Sequence, residues 1–319
     1  VSLSLRFLGT SASRPTVERG VSAIAVVREG ETFLFDCGEG TQRQMMRYGV
    51  AFSLCDIFFS HMHVDHMLGI VGLVRTMALQ GREDALRMWG PIGSSRLLRR
   101  AETLGADRLD FPVEYRELRP GDTVPRNGYE IVAFAADHMR TPALGFALVE
   151  SMRLGRFNPE RAREMGVPEG PLWGRLHRGQ RVTLDDGREI DPADLVGPTR
   201  PGRKLVITGD TRPCEATVEA AAGADLLVHE ATFADEEAAR AGETGHSTAR
   251  EAAQVAARAG VGQLVLTHVS ARYSRDVSEL EREAREVFPA TQIARDGAEY
   301  DIAFPDAVTE SSVPVRASG

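Results

Sequence analysis

Three of the chain's 8 histidines fall within six residues, in His61-Met62-His63-Val64-Asp65-His66, with an aspartate among them. A polar turn has no need of so many imidazoles, and in 319 residues such crowding is improbable by chance. Neutral imidazole is the commonest metal ligand in proteins, and zinc accepts both ring nitrogen and carboxylate oxygen. On an extended chain residues i and i+2 point the same way, so His61 and His63 can share one ion. A turn after them would carry Asp65 and His66 towards a second position. The chemistry on offer is metal-assisted hydrolysis.

Two ions need more donors than this segment holds. His138 follows the apolar run Ile131 to Phe134, Asp210 follows Leu-Val-Ile-Thr-Gly, and His268 follows Leu-Val-Leu-Thr. Singly, each has an ordinary alternative, since a lone histidine at a strand end is more often a hydrogen-bonded core residue. Together they complete a set of five histidines and two carboxylates. Two zinc ions that share a bridging carboxylate and a hydroxide require such a set. Glu230, after a strand, and His246, next to a helix start, can form a carboxylate–histidine pair. The carboxylate would fix the imidazole tautomer and raise its pKa, making it a usable proton donor. His229 reads as structural. Thr10, Ser11 and Ser13, and the glycine-rich turn from Asp36 to Thr41, could offer hydroxyls and backbone N–H groups to phosphates, or could be ordinary tight turns.

These residues share a local context: a short apolar run, then polar groups. Strands are expected at Ser2 to Leu8, Thr32 to Phe35, Cys55 to Phe59, Ile131 to Phe134, Leu205 to Thr208, Leu226 to Val228 and Leu264 to Thr267. The 3.6-residue pattern predicts helices over Gly40 to Tyr48, Met67 to Leu79, Ser94 to Leu104, Thr217 to Ala222, Thr248 to Ala259 and Val277 to Val287. Ser247 and Asp276 are the expected caps of the last two. The fold class this implies is α/β, layered sheets flanked by helices with a site at one rim.

From about Ser151 to Arg203 the rhythm breaks. The segment is rich in Gly, Pro and Arg, with seven arginines against three glutamates between Arg153 and Val182. It is expected to be an insert of residues 151–203, without a core of its own, in a single catalytic domain of residues 1–305. A frayed tail would follow from about Asp306.

A hydrophobic content of 42% and a charged content of 26% are ordinary for a soluble globular enzyme. No apolar run approaches the roughly 20 residues that span a bilayer. The start, Val1 to Gly9, alternates like a strand and does not read as a signal peptide. Three scattered cysteines imply no disulfide framework, and a reducing cytoplasm is the expected location. The net charge of −8 excludes a surface coated in basic groups, though a local basic patch suffices to bind nucleic acid. Arginine outnumbers lysine 37 to 1, a bias too general to carry functional weight.

The donor pattern resembles the metallo-β-lactamase superfamily, whose fold is a four-layered αβ/βα sandwich. By that resemblance His61, His63 and His138 hold one zinc; Asp65, His66 and His268 hold the other; Asp210 bridges them. Four further stretches resemble ribonuclease Z, the tRNA 3′-processing endonuclease, over essentially the whole chain to about residue 305. They are Phe7-Leu-Gly-Thr-Ser, Leu34-Phe-Asp-Cys-Gly-Glu-Gly-Thr-Gln42, His229-Glu-Ala-Thr-Phe233 with Gly245-His-Ser-Thr-Ala249, and Leu266-Thr-His-Val-Ser-Ala-Arg-Tyr273. The insert is similar to that family's flexible arm, with its Gly-Pro element at Gly170-Pro171; Arg175 and Arg178 are candidate tRNA contacts there. The sequence departs from its relatives in Ser-Ala-Ser after Thr10, where glycine is commoner, and in Gly20, where a polar residue is expected.

The resemblance implies two zinc ions per subunit, a homodimer, precursor tRNA as substrate, and neither DNA nor membrane as partner. Asp65 would orient or deprotonate the nucleophile, and His246, oriented by Glu230, would protonate the departing 3′ oxygen. Asp36 would steady the metal-site loops. A small-molecule phosphodiesterase or arylsulfatase-like hydrolase would keep the ligands but needs no arginine-rich arm. A thioester hydrolase would lack both arm and His-Ser-Thr element. A catalytically inactive nucleic-acid scaffold would lack a ligand, and none is missing.

Overall fold

The structure is a computed structural model and describes residues 2–104 and 109–305. The expected tail from Asp306 lies outside the described residues. Of these, residues 2–104, 109–149 and 204–303 form one compact unit, and residues 150–203 with 304–305 belong to another.

In the larger unit the first sheet is built from β1 (Leu3–Gly9), β2 (Ala23–Arg28), β3 (Glu31–Phe35), β4 (Asp56–Phe58), β5 (Leu86–Pro91) and β6 (Val113–Leu118). The second takes β7 (Thr123–Arg126), β8 (Tyr129–Ala135), β9 (Leu144–Glu150), then β12 (Lys204–Ile207), β13 (Leu226–Glu230), β14 (Gln263–Thr267) and β15 (Thr291–Ile293). The intervening β10 (Val182–Thr183) and β11 (Glu189–Ile190) belong to the smaller unit, and β16 (Glu299–Asp301) returns to the edge of the first sheet beside β1. Strands β3 to β6 run parallel, as do β12 to β15. Parallel strands need crossovers, here helical, which cover the outer faces.

Side-chain alternation shows how the layers stack. On β3, Phe33 and Phe35 enter the core between the sheets, while Leu34 faces the helices. On β13, Leu226 and Val228 enter that central core, and Leu227 turns outward. Outside the first sheet lie α1 (Thr41–Arg47), α3 (Ile70–Leu79) and α4 (Ser94–Glu102). Outside the second lie α7 (Glu215–Ala221), α9 (Ala249–Ala259) and α10 (Ser278–Val287). The order helix, sheet, sheet, helix is the four-layered sandwich the resemblance implies. Cys37 is an inert core residue, burial pushing its thiol up to about 12.

Local details depart from expectation. Thr248, not Ser247, caps α9, in a capping box with Glu251. The Ser247 hydroxyl instead donates to the Thr211 carbonyl. Asp276 accepts the Ser278 N–H, but Val277 is the cap residue of α10. The expected helix from Met67 is two pieces: a single turn, α2 (Val64–Met67), then α3. The insert does have a core. It packs Ala162, Val167, Leu176, Val182, Leu184, Ile190 and Leu195 between α5 (Pro159–Glu164), α6 (Pro171–His177) and the β10–β11 hairpin. Elements of two to seven residues are too short to print a period on the sequence, so composition alone misread it.

β4, which leads into the histidine segment, is pinned from below. Asp56, buried, accepts Arg87 Nε at 2.8 Å and Nη2 at 3.0 Å, Trp89 Nε1 at 2.6 Å and Arg126 Nη2 at 2.8 Å. Burial alone would raise its pKa, but these donors outweigh it and hold the carboxyl below its ordinary range. Asp56→Asn should therefore cost about 1–3 kcal/mol in urea unfolding at neutral pH, less than a wholly buried pair because Arg87 is 39% exposed. With its folded pKa depressed, Asp56 stabilises above the unfolded value near ~3.9, and that contribution fades as pH falls through the folded value. The gap between wild type and variant should close in acid.

Candidate metal centre

Every donor anticipated from the sequence stands just past a strand end at one rim of the larger unit. His61, His63 and the α2 residues Asp65 and His66 follow β4; His138 follows β8, Asp210 follows β12, and His268 follows β14. Ligand sites in α/β folds favour the carboxyl ends of strands, where loops meet without a side chain's alternation to satisfy. The structure brings His61, His63, His138 and Asp210 into one group and Asp65, His66 and His268 into another, with donor atoms within 4.8 Å of one another.

The spacing fits metal ions. Zinc–nitrogen bonds of about 2.05 Å in a tetrahedron put neighbouring donors about 3.3 Å apart. Here His63 Nδ1 and His138 Nε2 are 3.2 Å apart, His66 Nε2 and His268 Nε2 3.3 Å, and His66 Nε2 and Asp210 Oδ2 3.4 Å. Asp65 Oδ2 stands 3.5 Å from His66 and His268, and Asp210 Oδ1 is 3.4 Å from His268. His61 Nε2 and Asp210 Oδ1 are buried without a hydrogen-bond partner, which costs free energy unless a cation meets them. Asp210 is placed to serve both groups, its Oδ2 lying 3.7 Å from His61 Nε2.

Orientation of the rings comes from acceptors behind them. His66 Nδ1 meets Asp36 Oδ2 at 2.8 Å, His138 Nδ1 meets the Gly245 carbonyl at 2.8 Å, and His268 Nδ1 meets Thr232 Oγ1 at 2.9 Å. Ser60 Oγ donates to Asp36 at 2.8 Å, so it accepts from His61 Nδ1 at 3.0 Å. In each case the proton sits on Nδ1 and the Nε2 lone pair faces the centre, as metal-bound histidines are held. His63 presents Nδ1 instead. Asp36 was expected to steady these loops, and it does so through Ser60 and His66. Ser60, Thr232 and Gly245 escaped the sequence reading, the only hint being that each adjoins or lies within a recognised motif.

Electrostatics follow from burial and crowding. Burial, then neighbouring histidines, drives His61 well below the ordinary imidazole value, keeping it neutral. Burial would raise Asp65 and Asp210, but the histidines around them prevail and hold both carboxylates ionised. Asp65 also accepts the Ser13 N–H at 2.8 Å.

Beside this centre Glu230 and His246 form the anticipated pair, Oε1 to Nδ1 at 2.8 Å. Burial disfavours the imidazolium, yet the Glu230 charge and hydrogen bond, with Asp210 behind, push His246 up to about 9. His246 is also near Asp210 and His268. Its Nδ1, 3.9 Å from Asp210, is already held by Glu230, so Nε2 is the nitrogen left for other work. His229 is buried against the Glu230 carbonyl, in keeping with a structural residue.

The phosphate-binding expectation fares differently at each residue. Thr10 and Ser11 are buried with their hydroxyls spent, Thr10 on Asp296 at 2.7 Å and Ser11 on the Arg14 carbonyl at 2.8 Å, so neither presents a hydroxyl to substrate. Ser13 is exposed beside Asp65. Gly20 needs no polar side chain, because its N–H bonds Asp296 at 2.6 Å and its carbonyl accepts from Thr10 and Ser11. In the smaller unit Gly170 and Pro171 start α6, and Arg175 and Arg178 are exposed near its end.

Residues 31–155 and 178–269 match the beta-lactamase superfamily domain, and together with the rim-mounted donors this makes the chain a hydrolase of the metallo-β-lactamase fold. A ribonuclease Z of Gemmatimonas aurantiaca is 63% identical over 310 residues, spanning 97% of this chain and 99% of the relative. One of Myxococcus xanthus is 53% identical over 95% of this chain and 99% of its own. The crystal structure of human tRNase Z, short form, aligns with a TM-score of 0.69 at 28% identity, over 94% of this chain and all of that one. The chain belongs to the ribonuclease Z family.

If the donors hold metal, chelation should lower the melting temperature and added Zn²⁺ should restore it. Asp210→Ala, which removes the shared donor, should abolish that metal-dependent rise. A rise of wild-type size in the variant would remove Asp210 from the ligand set.

Proposed function

We propose that the chain removes 3′ trailers from precursor tRNA, leaving a tRNA 3′-hydroxyl and a trailer 5′-phosphate. One observation carries the reading: a hydrogen-bonded Glu230–His246 pair stands beside seven metal donors, in a chain whose near relatives are ribonucleases Z. His61, His63 and His138 would hold one zinc ion and Asp65, His66 and His268 the other, with Asp210 between them. Such ions would supply Lewis acidity, making water nucleophilic near neutral pH and neutralising charge on the phosphoryl oxygens.

The residues of the chain do the rest. Asp65, held ionised and fixed by the Ser13 N–H, is too weak a base to store a proton and so orients the attacking water. Water bonds to phosphorus, its own proton passing to solvent. The P–O3′ bond breaks with its electron pair on O3′, and the His246 Nε2 proton goes to that oxygen. Glu230 holds the Nδ1–H, which orients the ring, and keeps it charged until then.

His246→Ala should keep its metal content by elemental analysis yet lose roughly 10²- to 10⁴-fold in turnover of precursor tRNA. In Glu230→Gln the alkaline limb of the rate profile should move to lower pH, because the charge that raises His246 is gone. Unchanged cleavage by His246→Ala would remove it from the mechanism. The primary test is incubation with a precursor tRNA bearing a 3′ trailer, with and without chelator, mapping the cut and its end groups.

The 150–203 unit would grip the folded tRNA body, and a homodimer acting in the cytoplasm accompanies this reading. Among the described residues no helix is long and apolar enough to cross a membrane. Its stems pair with each other, Arg153 with Arg200 and Glu150 with Arg203, so residues 155–195 can be excised above a closed base. That deletion should abolish precursor-tRNA binding and spare hydrolysis of bis(p-nitrophenyl) phosphate. Loss of both would make the unit structural.

A further inference from the structure

A pocket of about 200 Å³ adjoins the metal centre on the side of His246, lined by Ser13, Arg14, Phe233, Arg240 and Ser270 among others. No carboxylate lines it, although the chain as a whole carries a net charge of −8. Two arginines stand at its rim, both exposed. Arg240 lies over the Phe233 ring at 5.7 Å and only 3.9 Å from Glu237, a carboxylate that Arg272 engages more closely. Hydroxyls and cations without an acid are what a phosphate and a ribose require, and an arginine plane accepts a stacked base.

The volume narrows the occupant. Pockets for drug-sized ligands run from about 300 Å³ upward, so this one takes part of one nucleotide rather than a stretch of chain. The proton donor then sets the direction. His246 Nδ1 is committed to Glu230, so a proton leaves from Nε2. The atom it reaches is the leaving oxygen, and the nucleotide carrying that oxygen must lie on the His246 side of the centre. In the proposed reaction that oxygen is the 3′ oxygen of the tRNA, not of the trailer.

We propose that this pocket holds the last nucleotide of the tRNA side, with Arg14 and Arg240 on the phosphate immediately upstream of the scissile one. The assignment rests on the precursor-tRNA reading above. It makes the two arginines substrate-binding residues of the leaving group. The trailer lies on the opposite side of the scissile phosphorus.

The test uses full-length enzyme and precursor tRNAs with one neutral methylphosphonate, either at the upstream linkage or at the first linkage inside the trailer. Arg14→Ala/Arg240→Ala should retain its metal content and melting temperature and lose about tenfold or more in kcat/KM on the unmodified precursor. The upstream methylphosphonate should slow wild type by a similar factor and slow the double variant no further, since the charge it removes no longer has a partner. The trailer methylphosphonate should affect both enzymes equally. Should the double variant instead lose its sensitivity to the trailer linkage, or cut the unmodified precursor at the wild-type rate, the pocket assignment is overturned. Wild-type enzyme that hydrolyses bis(p-nitrophenyl) phosphate but leaves precursor tRNA whole overturns the proposed function itself, and the assignment with it.

Discussion

An imidazole can offer a lone pair to a metal only from a nitrogen that carries no proton, and much of the centre is arranged to meet that condition. A carboxylate, two hydroxyls and a backbone carbonyl, from Asp36, Ser60, Thr232 and Gly245, accept hydrogen bonds from the Nδ1–H of four rings and turn Nε2 inward. These acceptors are buried; Asp36, Ser60 and Thr232 are held by the strands that precede them and Gly245 by the end of a helix. The rim is costly in backbone terms too. Among the described residues five non-glycine residues have left-handed φ, and Ser13, Asp36, Met139 and His268 among them lie at or next to the centre. Strain of this kind persists only where surrounding structure over-determines it. The two seven-stranded sheets and the large apolar core between them are that structure.

Close packing adds a second demand. A Cβ on Gly38 would sit 2.3 Å from the Asp65 carbonyl, so the Asp36–Gly38 loop can lie against α2 only because that residue is glycine. The Cys37 N–H meets the His66 carbonyl at 2.7 Å, and Gly69 returns a bond to the Cys37 carbonyl at 2.9 Å. Gly245, at φ +80°, ends α8 (Ala238–Thr244) while lending its carbonyl to His138, so one residue connects His138 to His246, which follows it.

The donors were legible in the sequence because histidine is rare and each one followed a β-rich run. The alternating β1 and the short apolar run of β13 are legible to within a residue or two. Strands β2, β5 and β9 are not, since none of them leads into a histidine or aspartate that draws attention to it. The acceptors behind the rings were mostly hidden for a different reason: serine, threonine and a carbonyl occur everywhere, and only their position in space gives them a task. Thr10 and Ser11 misled by type, since a hydroxyl beside a motif is as readily spent inside the fold, here on Asp296 and a carbonyl, as shown to a ligand. The insert misled by composition, because its core is assembled from elements too short to show a period.

His66 and His268 face each other across 3.3 Å yet stand 202 residues apart in the chain. Synthesis proceeds from one end, so a nascent chain that has exposed the first four donors still lacks His138, Asp210 and His268. The centre is completed only when the second sheet has formed and closed onto the first. A chain that stops anywhere short of residue 268 therefore lacks a member of the Asp65–His66–His268 group, however much of it has folded.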